Sequence, residues 1–113
     1  MASDSVEDMI AERRLTLISA TGESREIVVR IGKPAPSPNR ADFACEYQIE
    51  GLGENKTRCI YGIDAFQSLQ LTLRFISMML NHHREEAEGR LYWHEPGDDM
   101  GFAEVGPTPT SGR

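Results

Sequence analysis

Apolar and polar positions alternate with a period of two in the first half of the chain and then switch, once, to a period of three and four. From Ala11 to Ile18, Ala11, Arg13, Leu15 and Leu17 fall on one side and Glu12, Arg14, Thr16 and Ile18 on the other. After the turn Thr21-Gly22-Glu23 the alternation resumes, with Ile27, Val29 and Ile31 in phase. A period of two marks a strand with one buried face, so these residues predict a β-hairpin. The prolines between Lys33 and Arg40 lack an amide donor and make that stretch a connection. Phe43, Cys45, Tyr47 and Ile49 then share a face, Gly51-Leu52-Gly53 offers a tight turn, and Lys56 to Tyr61 forms the return strand. A three-residue loop sets Glu46 opposite Arg58, Gln48 opposite Lys56 and Cys45 opposite Cys59, a register supported by its cross-strand pairs.

The run from Tyr61 to Asn81 is the long periodic segment. Gly62 lets the chain turn from strand to helix, and Asp64 with Gln67 reads as a cap and capping-box pair. Phe66, Leu69, Leu73, Ile76 and Leu80 recur at three and four and predict one wide core-facing stripe. A charged stretch from Arg84 to Glu88 extends the helix towards Gly89, a natural stop. Arg90 to His94 predicts a short strand and Pro96-Gly97-Asp98-Asp99 a turn. The fold class is therefore α+β: an antiparallel four- to five-stranded sheet, made of two hairpins and a short C-terminal strand, with one long helix packed on one face. Residues 1–9 are expected to be flexible, 10–103 to form a single domain, and 104–113 a disordered tail.

The helix carries more apolar surface than one sheet can cover. Leu71, Phe75 and Met78 follow at i, i+4 and i+7, a second stripe away from the first. Either the segment from Trp93 to Phe102 covers it, or a twofold mate does, and the expectation is a homodimer with Leu71, Phe75 and Met78 at its interface. A second possibility is a ligand pocket between sheet and helix lined by Tyr47, Tyr61, Tyr92 and Trp93.

Composition narrows the function by exclusion. The 113 residues carry a formal net charge of −6, which disfavours nucleic acid, since phosphate binding needs clustered Lys and Arg. No apolar run is long enough to span a membrane. The acidic N-terminus lacks the pattern of a secretory signal, so the expected location is the cytoplasm, with Cys45 and Cys59 reduced. Both cysteines are expected to face the core as unreactive thiols. His82 and His83 point about 100° apart on a helix and, with His94, predict no metal site. Glu95, Asp98 and Asp99 lack the alternating oxygen ligands of a calcium loop and read as a solvated turn. No cofactor motif is present, and Arg13, Arg14, Arg30 and Lys33 read as a soluble sheet edge.

The order Cys45-x-Tyr47-x-Ile49-x-Gly51, followed by Tyr61-Gly62-Ile63-Asp64-x-x-Gln67-Ser68-Leu69-Gln70-Leu71, resembles a family of small uncharacterised bacterial domains of unknown function. In that family a Gly-Val/Ile-Asp-x-x-Gln-Ala/Ser-Leu helix start follows a Cys-containing hairpin. The resemblance covers residues 10–103 and implies a bacterial origin, with no activity or cofactor to carry over. The functional expectation is a non-enzymatic protein-interaction domain, an immunity or accessory protein. The alternative is a small ligand-binding domain or enzyme with its pocket between sheet and helix.

Overall fold

The structure is a computed structural model that describes residues 6–38 and 41–102. The tail and most of the N-terminal segment singled out above lie outside the described residues. The elements run β1 (Met9–Ile18), β2 (Ser24–Gly32), β3 (Ala35–Pro36), β4 (Phe43–Glu50), β5 (Arg58–Gly62), α1 (Ala65–Glu86) and β6 (Leu91–Tyr92). All pairings are antiparallel. Because β5 shares Phe43, Ala44 and Tyr47 of β4 with β3 or β2, β5 occupies one edge of β4 while β2 and β3 follow one another along the other. Across the sheet the order is β5, β4, β2, β1, β6.

The first hairpin pairs as its pattern predicts. Ala11, Arg13 and Leu15 face Ile31, Val29 and Ile27 on the helix side, while Glu12, Arg14 and Thr16 lie opposite Arg30, Val28 and Glu26 on the outer side. The outer face is a ladder of alternating charge. Arg14 bridges Glu12 and Glu26, and Arg30 bridges Glu12 and Glu50 while also donating to Gln48. These pairs, with Arg13 engaged elsewhere, replace the expected basic edge.

The second hairpin departs from the expected register by one residue. Glu46 pairs with Cys59, Tyr47 with Arg58 and Cys45 with Ile60. The cause is the connection, which spans residues 51–57 and folds on itself around Asn55. The Asn55 side chain accepts from the Gly51 amide at 3.0 Å, and its carbonyl accepts from the Gln48 side chain at 2.6 Å. Arg58 is left to bind Glu54. A slip of one residue turns a side chain to the other face. Cys45 is therefore buried on the helix side, its thiol donating to the Gly32 carbonyl, whereas Cys59 is exposed on the outer side. Both thiols are free, and burial pushes both above the ordinary range, Glu46 adding to the effect.

The helix begins as the sequence indicates. Asp64 accepts from the Gln67 amide at 2.8 Å, and the Gln67 side chain reaches back to the Ile63 amide at 2.7 Å. It ends in a Schellman turn, with the Glu88 amide bonded to the Glu85 carbonyl and the Gly89 amide to that of Arg84. Glu88, not Gly89, takes the first left-handed position, at φ 54°.

Its buried face, however, is rotated from the expected stripe. Ser68, Thr72, Ile76 and Leu80 are fully buried, Leu69, Phe75 and Met79 half-buried, Leu73 is 38% exposed and Phe66 78% exposed. The reason lies at Gly62, where β5 passes directly beneath the first turn of α1. A Cβ on Gly62 would stand 2.4 Å from the Ser68 amide nitrogen. Only small side chains fit at such an approach. Ser68 and Thr72 satisfy their hydroxyls within the helix, on the carbonyls of Ala65 and Ser68. Leu73, 100° round from Thr72, is thereby carried to the flank.

Ile76→Ala should lower the unfolding free energy by about 2 to 5 kcal/mol as a core truncation. Phe66→Ala, at an exposed position, should stay within about 0.5 kcal/mol. Chemical denaturation of the two variants checks this, and equal losses would show the helix seated on its Phe66 side. A thiol reagent added to the native protein should modify Cys59 and reach Cys45 only after denaturation. Protection of both thiols would place Cys59 on the helix side.

Candidate functional site

A helix about 10 to 12 Å across cannot cover five strands spaced about 4.8 Å apart. Helix α1 packs on β4 and β5 and touches β6 near its C-terminal end, leaving the helix side of β1 and β2 to be covered by other means. The segment after β6 does part of this. Met100, at φ 61°, is fully buried in the core with Leu15, Ile27 and Leu91. Gly101 lies so close to Trp93 that a Cβ would meet its ring at 2.3 Å.

Two side chains hold this segment down. The Arg13 guanidinium sits 3.8 Å from the Trp93 ring centroid and 4.9 Å from that of Phe102. It also donates to the carbonyls of Met100 and Gly101 at 3.2 and 2.8 Å. The Asp98 carboxylate accepts from the backbone amides of Trp93, His94, Glu95 and Met100, and Arg84 binds its carbonyl. Desolvation pushes the Asp98 carboxyl up, but the His94, Glu95, Trp93 and Met100 amides outweigh it and hold the value at about 2. The acidic turn of the sequence is thus an anchor for the loop.

Between this segment and the helix a groove of about 370 Å³ remains open. Ala11, Val29 and Ile31 form its floor, Leu73, Gln70 and Arg74 one wall, and Gly101 and Phe102 the other. Glu12 and Arg13 also border it, but the charges of both are engaged, by Arg30 and by the Trp93–Phe102 segment. The lining is mostly apolar. Its size is in the range of ligand pockets, and its titratable groups form no nucleophile–base pair.

The four aromatics considered for a pocket do not converge. Tyr47 is buried beneath Phe75, ring centroids 5.8 Å apart, and borders a smaller depression with Arg58, Met79 and His83. Tyr61 and Tyr92 pair with Ala44 and Thr16 on the outer side of the sheet. Trp93 is under Arg13 and stacked on His94 at 4.1 Å. Of the second stripe, Phe75 is engaged by Tyr47, whereas Leu71 and Met78 stay exposed. The Trp93–Phe102 segment covers β1 and the core, not that stripe. The groove residues escape periodicity analysis because Val29, Ile31 and Leu73 read as ordinary core. The available signal was geometric, in the width of the sheet relative to a single helix.

Exposed apolar side chains on the helix and its entry are Ile63 and Phe66 at 78%, Met78 at 57%, Leu71 and Leu73, while Met9, Ile10 and Tyr61 are exposed on the strands. Among the described residues no three His, Cys, Asp or Glu side chains form a group that could hold a metal ion. His82 and His83 lie beside Glu86 at the end of the helix. Among the described residues no helix is long and apolar enough to cross a membrane.

Because the folded-state carboxyl of Asp98 titrates near 2, below the ordinary Asp value of about 3.9, its contribution is fully present above pH ~4 and lost as the pH falls towards 2. Urea midpoints measured across that window should fall more steeply for the wild type than for Asp98→Asn. Parallel curves would remove the carboxylate from this role.

No curated protein and no solved structure matches the chain. Residues 11–104 match the family described as "Domain of unknown function (DUF6968)". With most of its length inside that match, and with the α+β architecture now described, the chain belongs to the DUF6968 family.

Proposed function

We propose that this protein is a non-enzymatic interaction domain that self-associates through the exposed side of α1. The observation that carries this is the set of uncovered apolar side chains on one helix and its entry, Phe66 and Leu73 on one flank, Leu71 and Met78 on another, and Ile63 just before the helix. Exposed apolar surface of this kind, here split by the polar strip of Gln67, Gln70 and Arg74, is characteristic of a contact surface. Among the described residues no second helix covers it, and closed twofold pairing is the commonest solution. Leu71 and Met78 form a second exposed flank, apart from Phe66 and Leu73, while Phe75 packs on Tyr47.

The groove supports a second reading, a binding site for a small apolar ligand between sheet and helix. The two readings differ in what the protein does alone. Sedimentation equilibrium of the purified wild type should give a dimer mass across the micromolar range, dissociating on dilution. A monomer at every concentration would overturn self-association and favour the ligand reading.

A further inference from the structure

We infer that two copies dock by inserting Phe66 of each into the groove of the other, an inference that rests on the self-association proposed above. Phe66, Gln70, Leu73 and Ser77 follow one another at i, i+4, i+7 and i+11 on a single flank of α1. Phe66 projects from this flank at 78% exposure, and Leu73 forms the wall of the groove. The projecting side chain and the recess that could receive it therefore lie on the same flank, two helical turns or about 10.5 Å apart.

That placement is the geometry a closed dimer requires. A twofold contact is isologous, so each surface must carry both halves of the match, with the axis midway between them. An axis crossing α1 between Leu69 and Gln70 exchanges position 66 with position 73. It sets each Phe66 beside the mate's Leu73, at the mouth of a recess floored by Ala11, Val29 and Ile31. Ile63, equally exposed, stands just before the N-cap of the helix.

Charge fits the same arrangement. The exchange brings Arg74 to the level of Ala65 of the other copy, next to the Asp64 carboxylate. Among the described residues neither Arg74 nor Asp64 has an ion-pair partner, and Asp64 uses only Oδ1 in capping the helix. Each copy thus offers one unmatched cation and one unmatched anion where the mate presents the opposite. The net charge of −6 per chain opposes approach over longer distances, but salt screens it beyond about 8 to 10 Å at physiological ionic strength.

The test is sedimentation of the wild type beside Phe66→Glu, Ala11→Trp and Met78→Glu, with thermal unfolding of each as a check on folding. Phe66→Glu removes the insert, and its exposed position leaves the fold intact. Ala11→Trp fills the recess from its floor and leaves Phe66 in place. Both should weaken the dimer by about a hundredfold or more, since each dimer loses two buried phenyl rings. Met78→Glu, on the opposite flank, should remain dimeric. A folded Phe66→Glu that still forms the wild-type dimer overturns the docking mode, and dissociation by Met78→Glu alone moves the interface to the Leu71–Met78 flank. In both cases self-association survives. A monomeric wild type overturns self-association and the docking mode together.

Discussion

The close approach of α1 to β5 governs the rest of the molecule. With no side chain at Gly62, the Ser68 amide comes down almost onto the strand, and the helix must present its small residues there. Ser68 and Thr72 can be buried because their hydroxyls find carbonyls of the preceding turn, so no polar atom of theirs is left without a partner. Further along the helix, Ile76 and Leu80 are fully buried and supply bulk to the core. The orientation set at the first turn propagates along all 22 residues of the helix, because a helix rotates as a unit. Phe66 and Leu73 become lateral for that reason.

A single helix on a five-strand-wide sheet leaves part of the core uncovered, and the C-terminal segment answers this incompletely. Met100 closes the core over Leu15 and Ile27, accepting a left-handed backbone to do so. Asp98 and Arg13 make that conformation tenable by gathering the amides and carbonyls of the loop. What they do not cover is the end of β1 and β2 near Ala11 and Ile31. The groove there follows from the disparity in width between the layers.

Most of the chain's chemically capable groups are engaged within the fold. Asp98 is surrounded by amides, Arg13 by rings and carbonyls, and the outer-face carboxylates Glu12, Glu26 and Glu50 by Arg14 and Arg30. Cys45 is sealed under the helix. Among the described residues, exposed apolar side chains remain uncovered on the helix, and Arg74 has no ion-pair partner. Recognition by surface complementarity is the chemistry such a surface supports, in keeping with the interaction role proposed for this chain.

The sequence by itself determined the kinds of element and their capping. Period two at Ala11–Leu17 and Ile27–Ile31 forced those faces inward, and the Asp64–Gln67 pair located the helix start, because both are matters of local spacing and nearby hydrogen bonds. It also showed that the helix carries more apolar surface than one sheet could use. Tertiary structure decided the rest. The register of β4 and β5, and with it the exposure of Cys59, was set by Asn55 stapling a loop that composition marks only as a turn. The rotation of α1 was set by the clearance above Gly62, where volume mattered more than hydropathy, so Ser68 went inward and Phe66 outward. The groove arose from residues contributed by β1, β2, α1 and the C-terminal loop. No pattern within any one of these segments specifies it, since it exists only in the space left between layers of unequal width.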